Sequence, residues 1–456
     1  MKVHFIAIGG SVMHSLAIEL HKAGHQVSGS DDKVYEPSLS RLNKYGLLPD
    51  REGWVPEKIS RDLDYVIAGM HAKPDNPELL RCKELGIKVY SFPEFFREYQ
   101  QDRQRIVIAG SHGKTTITAM ISHVLSKLGI EYDFLVGANL EAHETSVKLT
   151  PTAPIALIEG DEYGTSPLDP SPKFLHYHHH IGVISGVAWD HFNIYPTFEQ
   201  YLNSFRLFAE ATPRSGHLIY NGEDEILSKT LKKWNFNPDA TISPYTFPKH
   251  KVENGLLYLF NEAKVKIPMR VFGKHNLSNM AAAFEVCKKI RINEEDFIYA
   301  ISNFKGAPNR LELVAENTQT RVFRDFAHAP SKLEATVRAV KEQFPRQKLV
   351  ACYELHTFSS LNKAFLPQYK GKFRDADLAY VYFDPKVVEA KKLEPISIEE
   401  VQAAFQQPRL KVITDPQELE QALEAQSWRQ TNLLMMSSGN FGGLDLNRLV
   451  KKLIPQ

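Results

Sequence analysis

The stretch GSHGKTT, Gly110 to Thr116, decides how this chain reads. It follows the apolar run Ile106 to Ala109 and precedes a helix-like segment, Ile117 to Leu128. Strand, glycine-bounded turn ending in Gly-Lys-Thr, then helix is the setting of a phosphate-binding loop. The backbone N–H groups of such a loop converge on a helix N-terminus and stabilise an anion there. Lys114 would neutralise β- and γ-phosphates, and Thr115 would offer its hydroxyl to Mg²⁺. With Gly110 as first glycine, the loop is one residue shorter than the common pattern. The plain alternative is a glycine-rich turn carrying an exposed lysine.

Composition limits what surrounds this loop. A chain of 456 residues predicts about three domains of ordinary size. A net charge of +1 gives no support to nucleic-acid or anionic-membrane binding. Cys82, Cys287 and Cys352 are odd in number and match no zinc or disulfide spacing, so a reducing cytoplasm is expected. The apolar start of MKVHFIAIGGS is short and lacks a cleavage site, so no signal peptide is assigned. No apolar run is long enough for a membrane span.

Three strand-first segments follow one another. The first opens with Val3 to Ile8, turns at Gly9-Gly10-Ser11, runs through a helix from about Val12 to Ala23, and reaches a strand ending at Asp31. Strand, glycine turn, helix, strand and acidic residue make half of a dinucleotide fold. The charged, Gln-rich stretch Arg97 to Arg105 reads as a linker, after which the phosphate-loop segment runs to about Gly306. A third segment begins at Asn309-Arg310, with strands expected at Arg321 to Phe323, Lys348 to Tyr353 and Leu433 to Met436. Alternating strands and helices predict an α/β fold with parallel sheets. The expected domains are residues 1–100, Rossmann-like; 101–307, a central P-loop ATPase domain; and 308–456, a second Rossmann-like α/β domain.

Other stretches carry candidate chemistry. IEGDEY follows a predicted strand, Ile155 to Ile158, and places Glu159 at its carboxyl end, where Mg²⁺ would sit beside a phosphate loop. Glu159, Asp161 and Glu162 crowd negative charge that a nearby cation would relieve. WDHFNIY puts Asp190 and His191 after another strand, with His191 a candidate metal ligand. The histidine tract His176 to His180 lacks metal-site spacing and reads as a polar loop. Asn276 and Asn279 share a face at a helix start, suited to a purine edge or to capping. In NRLE and RDFAHAP, Arg310 would reach phosphate and Asp325 would accept from a ribose hydroxyl. The first glycine turn alone is weak evidence for NAD, because Val12 and His14 stand where further glycines would be expected.

Taken in order, GSHGKTT, IEGDEY, WDHFN, GKHNLSN and RDFAHAP resemble the Mur ligase family, and the resemblance spans essentially the whole chain. It implies three α/β domains, for a UDP sugar, for ATP and for an amine component. It also implies joining of a carboxylate to an amine through an acyl phosphate, with ATP and Mg²⁺. By resemblance, Lys114, Glu159 and His191 are catalytic, and Thr115, Glu159 and His191 hold metal. ATP would meet Gly110, His112, Gly113, Lys114, Thr115, Thr116, His275, Asn276, Asn279, Arg310 and Asp325. The UDP sugar would meet Gly9, Gly10, Ser11, Asp31, His71 and Asn139, and the amine component His328, His356, Ser437 and Asn440.

The resemblance further implies that UDP-N-acetylmuramate supplies the carboxylate. GMHAKPDNP (Gly69 to Pro77), SPKFLHY (Ser171 to Tyr177) and MSSGNFGG (Met436 to Gly443) are similar to members that attach L-alanyl-γ-D-glutamyl-meso-diaminopimelate in peptidoglycan recycling, so the resemblance implies that reaction first, with L-alanine addition as the alternative. ELHTFSS (Glu354 to Ser360), with His356, is instead like members that add L-alanine. A non-catalytic nucleotide-binding regulator is the reading from a different class. A cytoplasmic monomer or weak homodimer, acting on neither nucleic acid nor membrane, is expected.

Overall fold

The computed structural model describes residues 1–137, 144–166, 169–189, 194–253, 256–261 and 263–454. The chain folds into two compact units. One comprises Met1–Val187, Phe198–Thr246 and Ala282–Asn293; the other comprises Ala188–Thr197, Phe247–Ala281 and Glu294–Gln456. Among the described residues no helix is long and apolar enough to cross a membrane.

The first unit holds two principal sheets. Strands β1 (Lys2–Ile6), β2 (Gln26–Ser30), β3 (Tyr65–Ala68) and β4 (Val89–Ser91) form a parallel sheet in the order β2-β1-β3-β4. Helix α1 (Ser11–Lys22) follows β1, and its inner face buries Met13, Leu16, Ala17 and Leu20. The second sheet uses β5 (Gln104–Ala109), β6 (Tyr132–Leu135), β7 (Val147–Lys148) and β8 (Ile155–Glu159). After the short antiparallel pair β9 (Gly164–Ser166) and β10 (Asp169–Pro172) come β11 (Ile181–Ile184), β12 (His217–Asn221) and β13 (Thr241–Tyr245). Its order is β13-β12-β11-β5-β8-β6-β7, parallel except for β7. The central strands are buried on both faces, so they read as unbroken apolar runs such as Ile106 to Ala109.

Polar contacts fasten α1 to the edge of this second sheet. Thr145 Oγ1 donates to Glu19 Oε1 at 3.3 Å, and Ser146 N donates to Ser15 Oγ at 3.3 Å. These contacts fix the glycine turn before α1 relative to the central sheet.

The second unit begins with the antiparallel strands β14 (His250–Glu253), β15 (Leu256–Phe260) and β16 (Lys266–Met269). It continues with β17 (Glu312–Glu316), β18 (Arg321–Asp325), β19 (Lys348–Glu354), β20 (Leu378–Tyr382), β21 (Leu410–Ile413) and β22 (Thr431–Met436). These six run β17-β18-β22-β19-β20-β21, with only β17 antiparallel. Alternate residues of β19 enter different cores: Leu349, Ala351 and Tyr353 in one, Val350 and Cys352 in the other.

Three mainly parallel sheets flanked by helices are as the alternation predicts. Two local expectations need correction. Arg97 to Arg105 is no open linker: a helix runs Phe92–Tyr99 and β5 starts at Gln104. Arg105 is buried because its guanidinium donates to the carbonyls of Tyr177 at 2.9 Å and Gln100 at 3.0 Å. The histidine tract is partly core rather than a polar loop. His179 is 1% exposed, bonded to Thr212 Oγ1 at 2.9 Å and packed on Phe208. The three cysteines are free and buried.

Candidate functional site

Sheet order brings the phosphate loop and its partners together. β5 lies between β11 and β8, with Ala109 opposite Ile184 and Ile108 opposite Glu159. The loop after β5, the end of β8 and Ser185 after β11 thus share the carboxyl edge of a parallel sheet, the usual place for a ligand. Two glycines make the loop possible. Gly110 has φ +125°, and a Cβ there would lie 2.2 Å from Ser185 Oγ. Gly113 has φ +79° and caps helix α2 (Lys114–Lys127) without a side-chain acceptor. The first-turn amides of α2 therefore face the loop, ready for an anion.

Lys114 donates to the Gly110 carbonyl at 2.8 Å and to Glu162 Oε2 at 2.7 Å. Burial works against its charge, but Glu162, Asp161 and Glu159 outweigh that and hold its pKa above the ordinary lysine value. Thr115 Oγ1 donates to Glu159 Oε1 at 2.6 Å, and Gly137 N donates to Glu159 Oε2 at 2.9 Å. Burial, then Asp161, pushes the Glu159 carboxyl up. A buried carboxylate with a hydroxyl against it is a hard oxygen donor set that fits Mg²⁺. His191, expected as a further ligand, and its neighbour Asp190 lie outside the described residues, as does Asn139.

The crowded acidic stretch has a resolution that sequence reading missed. Lys114 faces Glu162, while Lys173 Nζ lies 3.4 Å from Asp161 Oδ2. Lys173 is nearly buried, with its ammonium 4.1 Å from the Tyr163 ring centroid and 5.3 Å from that of Phe92. Its place in SPKFLHY is the one sequence signal, and that signal speaks of similarity rather than of charge.

In the same unit, Gly9, Gly10, Ser11, Asp31 and His71 line one cavity of about 400 Å³. Asp31 Oδ2 accepts from Gly9 N at 2.6 Å, and burial with Asp32 close by pushes its carboxyl up to about 6. Asp31, Asp32 and His71 present ligand atoms within 4.8 Å of one another. His14 and Arg41 also line this cavity. His14 Nδ1 lies 2.9 Å from the Gly10 carbonyl, and Arg41 Nη1 lies 3.3 Å from its Nε2. Burial, and to a lesser extent the charge of Arg41, lowers the His14 pKa. The missing glycine at position 14 is thus filled by a side chain that faces the turn.

In the second unit, Asn276 Nδ2 donates to the Phe272 carbonyl at 2.9 Å, while Asn279 is buried one turn along the helix Lys274–Lys289. Burial pushes the His275 imidazole down to about 4. Asp325 accepts from Leu311 N at 2.6 Å and Ala327 N at 2.7 Å, so its carboxylate pins the NRLE and RDFAH loops. A ribose hydroxyl would have only the lone pairs these amides leave. The Arg310 guanidinium lies over the Phe326 ring at 4.5 Å. His328 Nδ1 is 2.9 Å from the Phe326 carbonyl.

Parallel pairing sets Asp325 and Tyr353 beside Met436, so ELHTFSS and MSSGNFGG meet at one sheet edge. Glu354, which sequence reading did not single out, joins them. Its Oε2 accepts from Ser437 Oγ and, at 2.8 Å, from Phe441 N, while its Oε1 lies 3.4 Å from His356 Nδ1. Asn440 Oδ1 accepts from Gly443 N at 3.1 Å in the same loop.

A phosphate-type loop, an oxygen-donor pair beside it and a second glycine turn, carried on mainly parallel α/β sheets, define an enzyme that uses a nucleotide. Family models agree along the chain: the Mur ligase family catalytic domain at residues 2–103, the Mur ligase middle domain at 108–287 and the Mur ligase glutamate ligase domain at 309–439. The chain belongs to the Mur ligase family, and is an ATP-dependent, ADP-forming ligase. It is 32% identical over 375 residues to a UDP-N-acetylmuramate–L-alanine ligase of Sulfurihydrogenibium, covering 80% of this chain and 78% of that one. The structure of a UDP-N-acetylmuramate–alanine ligase from Thermotoga maritima matches with TM-score 0.69 and 20% identity over 99% of this chain and 98% of that one. That of a UDP-N-acetylmuramate:L-alanyl-γ-D-glutamyl-meso-diaminopimelate ligase from Neisseria meningitides matches with TM-score 0.59 and 25% identity, over 67% of this chain and 98% of that one.

Proposed function

We propose that this ligase joins the lactyl carboxylate of UDP-N-acetylmuramate to the amine of L-alanine, in building the peptidoglycan precursor. The Thr115–Glu159–Lys114 cluster at the carboxyl edge of the central sheet is the observation that carries the ligase chemistry. The relative that names L-alanine spans 80% of the chain, which favours that acceptor over the tripeptide. His356, seated on Glu354 in the third domain, supports the same choice. The functional division is residues 1–100 for the UDP sugar, 101–307 for ATP and 308–456 for the amine.

In this mechanism Lys114 leaves Glu162 for the γ-phosphate and neutralises charge as it transfers. The carboxylate oxygen attacks the γ-phosphorus, ADP departs, and an acyl phosphate remains. The amine nitrogen then attacks the carbonyl carbon, phosphate leaves, and the amine loses its proton as the amide forms. Thr115 and Glu159 would hold Mg²⁺, which shields the phosphate oxygens when bound. The α2 N-terminus orients the phosphates through backbone amides.

The second reading, attachment of L-alanyl-γ-D-glutamyl-meso-diaminopimelate, is favoured by SPKFLHY and by the Neisseria structure. Phosphate release with ATP, Mg²⁺ and UDP-N-acetylmuramate, comparing the two amines, separates them. Turnover with L-alanine supports the first reading; turnover with the tripeptide alone replaces it by the second.

A further inference from the structure

A second cavity, of about 270 Å³, is lined by Gly10, Ser11, His71, Gly137, Asp161 and Lys173 among others. It shares Gly10, Ser11, His71 and Gly137 with the 400 Å³ cavity at the glycine turn. The two spaces therefore meet along the N-terminus of α1. Gly137 also donates its N–H to Glu159, so the far wall of the smaller cavity is the near wall of the phosphate site. A ligand whose phosphates lie at the turn before α1 would direct its other end here.

Charge decides what that end can be. Among the described lining residues, Asp161 is the single carboxylate and Lys173 the single lysine or arginine. Glu159 and Glu162, next to this wall in sequence, add negative charge, and Lys114 pairs with Glu162 at 2.7 Å and serves the γ-phosphate in turnover. An incoming carboxylate would be repelled without a cation of its own. Lys173 is held for such contact. Its side chain is 9% exposed, it sits over the Tyr163 ring, and its contact with Asp161 is long at 3.4 Å. An ammonium has three donors, and this contact uses one.

We propose that Lys173 binds the carboxylate of the sugar-nucleotide substrate and selects a carboxylated sugar over its uncharged counterpart. This rests on the reading that the chain uses UDP-N-acetylmuramate. Lys173 lowers the repulsion between the substrate carboxylate and Asp161 and keeps the nucleophilic oxygen near the wall that leads to Glu159. Its cation–π contacts with Tyr163 and Phe92 fix the ammonium without neutralising it.

Calorimetry on the full chain tests this with two probes, UDP-N-acetylmuramate and UDP-N-acetylglucosamine, which lacks the lactyl carboxylate. The wild type is expected to bind the first about 10- to 100-fold more tightly, the range for one charge-assisted hydrogen bond. Lys173→Met should bring the two affinities together by weakening only UDP-N-acetylmuramate, and Lys173→Arg should keep most of the preference. Binding of UDP-N-acetylglucosamine is the internal control for folding. A preference that survives in Lys173→Met, or an equal loss for both probes in Met and Arg variants alike, overturns the assignment. A wild type that binds neither probe overturns the underlying function and this inference with it.

Discussion

The Thr115 hydroxyl donates to Glu159 Oε1 at 2.6 Å, across 44 residues of chain. The first turn of α2 is thereby locked to the end of β8. This contact places a hydroxyl and a carboxylate where both can turn to a cation. Glu159→Gln keeps the size and one acceptor oxygen but removes the charge, and it cannot accept from both Thr115 Oγ1 and Gly137 N. Turnover should fall about 10²- to 10³-fold, the usual effect of losing one electrostatic stabiliser, with a raised Mg²⁺ requirement. Titration of phosphate release against Mg²⁺ checks this; an unchanged Mg²⁺ curve would remove Glu159 from the metal site.

Lys114 serves both stability and reaction, and the two can be separated. Lys114→Met takes the Lys114 ammonium away from Glu162, whose side chain is 1% exposed. Breaking a buried pair on one side costs about 3–5 kcal/mol. The single variant should melt several degrees lower and lose turnover. The double variant Lys114→Met with Glu162→Gln should regain most of the melting temperature and none of the activity. Recovery of activity in the double variant would show that Lys114 only balances Glu162.

Gly110 is constrained twice, by its φ of +125° and by Ser185. Gly110→Ala should abolish ATP binding measured by calorimetry. Adding Ser185→Gly removes the closest clash but leaves the residue 185 backbone nitrogen 2.6 Å from the new Cβ, together with backbone strain worth about 1–3 kcal/mol. Binding should therefore return only in part. Full recovery would mean that side-chain contact alone dictates this glycine.

His179 links stability to pH. Burial, then the neighbouring histidines, pushes its imidazole down to about 3 from 6.5. The native histidine stays neutral while the unfolded chain takes up a proton as pH falls through 6.5. Its contribution to stability is therefore present above that value and lost below it. The wild type should lose about 2 kcal/mol from this group between pH 7.5 and 5. His179→Gln should flatten that part of the profile in urea unfolding. An equally steep decline in the variant would assign the effect to other groups.

Glu354 gathers Ser437, Phe441 and His356 at the carboxyl edge of the last sheet. Glu354→Ala should raise KM for the amine about tenfold or more, as expected when a loop-fixing charged hydrogen bond is lost. KM for ATP should stay within twofold. Parallel changes in both would argue for a general loss of folding instead.

Much of this arrangement was legible in the sequence because parallel strands buried on both faces spell apolar runs. Val107, Leu157 and Val183 mark three neighbouring strands, and the candidate residues follow those runs directly. Glycines at 110 and 113 announced the loop, since other residues would clash or strain there. Contacts between distant residues stayed hidden. Arg105 looks like a linker charge until its carbonyl partners, 72 and 73 residues away, surround it. Glu354 gains meaning only from Ser437, 83 residues on. Local pattern records whether a position is inside, whereas the identity of a polar partner depends on strand order. Lys173 was in view as part of SPKFLHY, but only the smaller, 270 Å³ cavity shows that it shares a ligand-sized space with Asp161.

The most direct measurement is product analysis by mass spectrometry after incubation with ATP, Mg²⁺, UDP-N-acetylmuramate and L-alanine. The account predicts UDP-N-acetylmuramyl-L-alanine formed one-for-one with ADP, and neither product when any component is omitted. ADP formed without dependence on UDP-N-acetylmuramate, or no amide product with either L-alanine or the tripeptide, would contradict it.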